Sequence, residues 1–127
     1  MLGEAPLITA KAPPPVGPYP HARRVGDLLF LSGIGPRRPV TNEIPEGIEA
    51  QTRAAIENVR VILEEAGSSL DKVLDVTVYL TDMQRDFAAF NRVYAEFFGT
   101  VQPTRTTVGV DSLPTPISVE LKVMAAC

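Results

Sequence analysis

The spacing of the apolar residues changes from one segment of the chain to the next, and this pattern restricts the fold most strongly. In residues 48–66 the apolar and small side chains recur every three or four positions, which predicts an amphipathic helix ended by Gly67. In residues 73–81 they recur every second position, which predicts a strand. A second helical stripe ends at Gly99. It consists of aromatic residues that we expect to pack in the core: Phe87, Phe90, Tyr94, Phe97 and Phe98.

A continuous apolar run, Leu28–Leu31, lies before the first predicted helix and is followed by Gly33 and Gly35. Such a run, bounded by glycines, predicts a strand that is buried on both faces. Two helices can cover only one face of a sheet. The second face therefore needs another cover, and a symmetric copy of the chain is the simplest one.

The first twenty residues are rich in proline, which excludes a helix in this segment. We expect the segment to be a loose tail, because chain termini are commonly poorly ordered. The alternative is an edge segment that places Tyr19 over a cleft.

Length and composition exclude several classes of protein. A chain of 127 residues is expected to form one domain, residues 1–127. One histidine and one cysteine exclude an internal disulfide and a zinc cage, and a net charge of −3 argues against a nucleic-acid binder. The longest apolar run is too short to cross a bilayer and the N-terminus lacks a signal-peptide pattern, so we expect a cytoplasmic protein. The single histidine, His21, is expected to have a structural or rim role.

Two alternating segments near the C-terminus, residues 105–110 and 117–124, are separated by six residues rich in turn formers, which predicts a β-hairpin. Matching their apolar faces makes Arg105 and Glu120 diagonal neighbours on the opposite, polar face. One interpretation is a solvated ion pair, the more common arrangement on a sheet surface. The other is a site in which Arg105 grips a planar anion and Glu120 acts on a water molecule.

Five motifs, in order, resemble those of one family and cover nearly the whole chain. GPYPHA at residues 17–22 resembles the family's GPYSQA, and SGIGP at residues 32–36 resembles its SGQ-type strand end. Residues 51–73 resemble its first helix, and residues 76–98 resemble its next strand and second helix. Residues 103–125, PTRTTVGVDSLPTPISVELKVMA, resemble its C-terminal signature. The chain thus resembles the RidA/YjgF family of reactive-intermediate (enamine/imine) deaminases, also called endoribonuclease L-PSP.

This resemblance implies an α+β fold of the bacillary chorismate-mutase type, with a mixed sheet of about six strands and two helices on one face. It implies a homotrimer with a central β-barrel and an active site in each cleft between subunits. It also implies hydrolysis of 2-imino or 2-enamino acids to 2-oxo acids and ammonia, without a cofactor or a metal. The implied partner is a small imino or oxo acid, not a nucleic acid or a membrane.

The resemblance also implies roles for individual residues. Arg105 would bind the substrate carboxylate, and Glu120 would orient and activate the attacking water. The residues expected to line the substrate cleft are Tyr19, Ser32, Asn91 and, through its backbone, Thr107.

The chain departs from the family pattern at several positions of the expected pocket. Pro20 and His21 replace the usual Ser-Gln pair, and Ile34 replaces a Gln. Thr107 stands where the family often has Cys, so no thiol is available there. Because these changes alter the pocket wall and leave Arg105 and Glu120 intact, we expect the chemistry to be kept and the substrate preference to be open.

Three alternative functions remain at this point. A deaminase acting on 2-aminomuconate, a dicarboxylate, would use Arg37 or Arg38 to grip the second carboxylate. A non-catalytic module would bind 2-oxo acids or act as a chaperone-like surface, although an intact Glu120 argues against it. A ribonuclease or translation inhibitor is least expected, because the chain is acidic and lacks a histidine pair.

Overall fold

The sheet and helices expected from the sequence are present in the computed structural model, which describes residues 5–127. The helices pack on one face of a five-stranded mixed sheet, which confirms the α+β class. The sheet was expected to have about six strands, and residues 5–127 form five. The strands are β1 (Ala22–Val25), β2 (Leu28–Leu31), β3 (Val73–Leu80), β4 (Thr104–Gly109) and β5 (Val119–Ala126). The helices are α1 (Ile48–Glu65), α2 (Met83–Phe98) and a short 3₁₀ turn, Leu70–Lys72.

The order of the strands in the sheet is β1-β2-β5-β3-β4. β5 pairs antiparallel with both β2 and β3, whereas β4 pairs parallel with β3. The predicted hairpin of residues 105–110 and 117–124 is therefore wrong, because β3 lies between the two strands. The reason is the helix between β3 and β4: a strand–helix–strand crossover brings the second strand parallel to the first.

The hydrophobic core lies between the sheet and the two helices, as the apolar stripes predicted. α1 ends where Gly67 takes a φ of 84°, and Asp82 caps α2 by accepting a hydrogen bond from the Arg85 backbone N–H. Phe87 departs from the prediction, since 39% of it is exposed. The largest fully buried side chains are Leu29, Leu31, Ile56, Ile62, Leu63, Leu80, Phe90, Phe98 and Leu121.

No helix formed by the described residues covers the other face of the sheet. On β2 only Leu29 and Leu31 are buried, while Leu28 is 38% exposed and Phe30 is partly exposed. On β4 Val108 is 36% exposed on the same face. The expected burial of β2 on both faces is thus not reached within one chain, and an apolar surface stays open.

The proline-rich N-terminal segment packs against the sheet, so the expected loose tail is wrong for residues 5–20. Leu7 forms a β-bridge with Ala22. The Thr9 backbone N–H donates to Nδ1 of His21 at 3.1 Å, and Nε2 of His21 lies 2.8 Å from the Pro13 carbonyl oxygen. This pattern fixes a neutral imidazole with its proton on Nε2. His21 is buried and lines the cleft beside Tyr19, and its two hydrogen bonds anchor the segment that carries Tyr19.

None of the helices in residues 5–127 has the length and apolarity needed to cross a membrane.

Candidate functional site

Glu120 lies on the helix-free face of β5, directly opposite Tyr79 of β3. Its side chain is half-buried, and this burial raises the pKa of the carboxyl above its ordinary value. Within residues 5–127 the carboxylate has no hydrogen bond or ion pair. A partly dehydrated carboxylate without a partner is suited to take a proton from water.

The end of β2 supplies the surface against which this carboxylate rests. A Cβ atom at Gly33 would lie 2.5 Å from Oε2 of Glu120, so the carboxylate occupies the space that a side chain would need. Gly33 also lines a small cleft together with Tyr19, Ser32 and Arg37. The Ser32 hydroxyl donates to the Pro20 carbonyl oxygen at 2.7 Å, which joins the strand end to the N-terminal segment.

Arg105 lies on β4 opposite Val76, and it therefore faces the helices. Its guanidinium carbon is 4.8 Å from the ring centroid of Tyr94, 5.4 Å from that of Phe90 and 5.9 Å from that of Phe87. Distances of this size are typical of cation–π contacts. In the described part of the chain no carboxylate pairs with Arg105, so its charge is available to an external anion.

A groove of about 490 Å³ opens beside Arg105 and is lined by Asn91 and Tyr94 of α2. Thr107 lies on the same face of β4 as Arg105, two residues further on. The hydroxyl oxygens of Tyr94 and Thr107 are buried without a hydrogen-bond partner among the described residues. Burial raises the pKa of the Tyr94 phenol, although the nearby Arg105 charge opposes this shift.

The two residues with the main predicted roles therefore lie on opposite faces of the sheet. Glu120 is on the helix-free face beside Gly33, and Gly33 also borders the cleft of Tyr19 and Ser32, which Ile62 of α1 lines as well. Arg105 is on the helix face, with Asn91 in the groove beside it and Thr107 on the same strand face. The prediction that Arg105 and Glu120 are diagonal neighbours is wrong, because the parallel pairing of β4 turns Arg105 towards α2. Within one chain the two side chains cannot contact the same small molecule.

Two features of the site were missed by sequence reasoning. Gly33 was interpreted only as the end of a strand, and nothing local indicates that it supports Glu120. The rings of Phe87, Phe90 and Tyr94 were assigned to the core, although they also surround Arg105. Their helical spacing was a signal of a shared face, but the sequence does not indicate which strand that face meets.

No group of three or more His, Cys, Asp or Glu side chains among residues 5–127 is arranged to hold a metal ion.

Comparison with known proteins assigns the chain to a family. The sequence model of the endoribonuclease L-PSP family matches residues 9–127. The chain belongs to this family. A RutC family protein of Pyrococcus abyssi is 48% identical to it over 120 residues, which are 94% of each chain. TdcF of Escherichia coli, whose name describes a candidate reactive intermediate deaminase, is 39% identical over 122 residues, again 94% of each chain.

Solved structures of this endoribonuclease L-PSP family share the fold. The crystal structure of E. coli TdcF with bound serine superposes with a TM-score of 0.91 at 36% identity, covering 98% of this chain and 99% of TdcF. The E. coli YjgF gene product superposes with a TM-score of 0.90 at 32% identity, covering 97% and 98% of the two chains. At the level of the family, these relatives support a role as a reactive intermediate deaminase.

Proposed function

We propose that this protein hydrolyses reactive 2-imino or 2-enamino acids to 2-oxo acids and ammonia. The observation that carries the proposal is the pair of charged residues Arg105 and Glu120, which have no ionic partner among residues 5–127 and are each held by a different part of the fold. Further support comes from TdcF, whose crystal structure contains serine, a molecule with an α-carboxylate.

Arg105 is proposed to bind the carboxylate of the substrate. A guanidinium presents parallel N–H donors that match the two oxygens of a carboxylate. Because aromatic rings, which offer no carboxylate oxygen, lie beside the Arg105 guanidinium, its N–H donors are left for an anion. A bound carboxylate would fix the position of the adjacent imine carbon, and such positioning lowers the barrier by several kcal/mol in well-oriented reactions.

Glu120 is proposed to activate the attacking water. Its carboxylate takes a proton as the water oxygen forms a bond to the electrophilic imine carbon, and the electron pair of the C=N π bond moves to nitrogen, which receives that proton to give a carbinolamine. The hydroxyl of this intermediate then loses its proton through Glu120 to the nitrogen, the C=O bond forms as the C–N bond breaks, and ammonia leaves with a 2-oxo acid as the other product. The raised pKa of Glu120 brings its basicity closer to that of an effective general base.

The opposite faces of Arg105 and Glu120 require a second chain in this mechanism. A copy that covers the open sheet face would bring its Arg105, on the edge strand β4, to the Glu120 of its neighbour. The partly exposed apolar residues of that face support such packing. We therefore propose a homotrimer with the active site between subunits.

Mixing two inactive variants tests the function and the shared site together. The substrate is 2-iminobutyrate, formed in situ by an amino-acid oxidase, and ammonia release is followed. Arg105→Ala and Glu120→Ala are each expected to lose at least ~100-fold in rate. Refolded together in equal amounts, they should recover about a quarter of wild-type activity, because about a quarter of the sites in mixed trimers hold both residues.

The controls for this experiment are each variant refolded alone and the molar mass of the mixture. A mixture as inactive as its components, with mixed oligomers demonstrated, would argue against the shared site. Wild-type rates in both single variants would argue against the mechanism as a whole.

A dicarboxylate substrate such as 2-aminomuconate is a second candidate, favoured by the position of Arg37. Its guanidinium lines the cleft with Tyr19 and Ser32, held by Asn42 and the Pro14 carbonyl, and no carboxylate of the described chain pairs with it. Arg38 borders a different groove, beside α1. Loss of dicarboxylate turnover alone in Arg37→Ala would support this candidate, whereas an equal effect on monocarboxylate substrates would exclude it.

A further inference from the structure

Three aromatic rings of α2 surround the guanidinium of Arg105: Phe87, Phe90 and Tyr94, here called the aromatic box. Arg53 offers a comparison: it lies over one ring, that of Phe97 at 5.8 Å, and it also pairs with Glu96. Arg105 thus differs from Arg53 in two ways, since it has three rings and no carboxylate partner within residues 5–127.

The lack of a carboxylate partner within residues 5–127 leaves the N–H donors of Arg105 without a negatively charged acceptor. A carboxylate neighbour would occupy the N–H edge of the guanidinium, which is the edge that recognises an anion. Aromatic rings attract the cation electrostatically through their faces and, unlike a carboxylate, present no oxygen to its N–H donors. The aromatic box can therefore orient Arg105 without using the donors that a ligand requires.

Tyr94 is the member of the box best placed to set this orientation. Its ring is the nearest to the guanidinium, at 4.8 Å, and is itself packed against Phe90 at 5.5 Å and Phe98 at 4.8 Å between centroids. Only 9% of Tyr94 is exposed, whereas Phe87 is 39% exposed. The Tyr94 hydroxyl is buried without a partner in the described chain, so the contact with Arg105 depends on the ring and not on a hydrogen bond.

We propose that Tyr94 is the positioning residue of Arg105: its ring holds the guanidinium so that the N–H edge faces the groove and receives a carboxylate. This inference rests on the proposed function of Arg105. Tyr94 borders the same groove as Arg105, and its proposed role is in carboxylate binding through Arg105 rather than in the proton transfer at Glu120, which lies on the other face of the sheet.

Three variants separate the ring from the hydroxyl and from general packing. Tyr94→Leu removes the ring, Tyr94→Phe keeps it, and Phe97→Leu removes the matched ring under Arg53. The probe is 2-oxobutyrate, whose Kd is measured by calorimetry, together with KM and kcat for 2-iminobutyrate. Tyr94→Met, which also removes the ring and keeps more of the side-chain volume, serves as a second variant at this position if Tyr94→Leu does not fold.

Tyr94→Leu is expected to raise the Kd and KM between about 3- and 30-fold, with kcat changed less than about twofold. Tyr94→Phe should bind within about twofold of the wild type, since it retains the cation–π contact. Phe97→Leu should bind as the wild type does. The loss should also depend on the carboxylate, so the amide of 2-oxobutyrate should bind Tyr94→Leu and the wild type alike.

The other outcomes are distinguishable. Unchanged binding in Tyr94→Leu, or an equal loss in Tyr94→Phe and Phe97→Leu, would overturn the positioning role while leaving the function of Arg105 intact. If Tyr94→Leu does not fold, unchanged binding in Tyr94→Met would overturn it instead. Unchanged 2-oxobutyrate binding in Arg105→Ala would overturn the proposed function itself, and the positioning role with it.

Discussion

The carboxylate of Glu120 rests against the α-carbon of Gly33. A Cβ atom at position 33 would lie 2.5 Å from Oε2 and 2.9 Å from the carboxyl carbon of Glu120. Glycine leaves open at this position the space that the carboxylate occupies. The strand end after β2 therefore allows the proposed base to take this position.

Gly33→Ala is expected to reduce kcat at least ~10-fold while changing the free energy of unfolding by less than about 1 kcal/mol. The added methyl group displaces the carboxylate, and the flexible end of a glutamate can turn away at little cost. Deaminase assays and urea unfolding measure the two quantities.

Gly35→Ala is the matched comparison, since its Cβ would lie 2.8 Å from the Cδ1 atom of Ile117. The obstacle is then a buried apolar side chain, so we expect a loss of about 1–3 kcal/mol in stability. A larger loss of stability in Gly33→Ala than in Gly35→Ala would contradict this account of position 33.

Glu120→Gln is expected to raise the Tm at about pH 7 and to have little effect at about pH 4. Burial raises the pKa of Glu120 above 4.5, so the folded chain holds this proton more tightly than the unfolded chain does. The ionised carboxylate therefore destabilises the fold above the raised pKa, and this penalty disappears as the pH falls below 4.5. Calorimetric scans across this pH range measure the difference.

Glu96→Gln is a control in which the Tm at neutral pH is expected to change in the opposite direction. The hydrogen bond from Arg53 lowers the pKa of Glu96, so this carboxylate stabilises the fold at neutral pH and loses that effect only as the pH falls through the lowered pKa. Glu96→Gln should therefore lower the Tm slightly at neutral pH, because the pair is exposed. If both variants shifted the Tm in the same direction at neutral pH, burial would not be the cause of the Glu120 effect.

The sequence predicted the elements of the fold well because hydrophobic period reports local backbone geometry. The stripe of residues 48–66 became α1, the alternation of residues 73–81 became β3, and Gly67 took the positive φ that ends a helix. Each of these outcomes depends on side chains within a few residues of one another.

The pairing of the strands, in contrast, could not be predicted from the hydrophobic period. β4 and β5 are joined by a turn-rich segment, yet β5 inserts between β2 and β3 and leaves β4 at the edge. The alternation of residues 105–110 fits either pairing, and only the long-range choice of β3 as the partner decides which face Arg105 takes. The residue types of the candidate site were thus identified, whereas their placement on opposite faces was not.

Asn58→Ala is expected to lower the free energy of unfolding by about 1–3 kcal/mol. The Asn58 amide, buried on α1, donates to the carbonyl oxygens of Gly35 and Arg37 at 2.9 and 2.7 Å. Without it, two carbonyls of the segment after β2 lose their donors. Arg60→Ala, two residues later with exposed ion pairs only, should cost less than about 1 kcal/mol. Equal losses in chemical denaturation would show that Asn58 does not tether this segment.

His21→Leu is expected to release the N-terminal segment from the sheet, whereas His21→Gln keeps it docked. The buried imidazole accepts from the Thr9 backbone N–H and donates to the Pro13 carbonyl, and leucine leaves both groups without a partner, at a cost of at least about 1–3 kcal/mol. A glutamine amide offers one acceptor and one pair of donors, so it can replace both bonds. Hydrogen exchange should therefore increase at residues 7–21 in His21→Leu and stay near the wild-type rate in His21→Gln.

Because this segment carries Tyr19 to the cleft beside Gly33, the Kd for 2-oxobutyrate should rise in the leucine variant in parallel. Faster exchange in both variants would mean that the shape of the ring, and not its two hydrogen bonds, holds the segment.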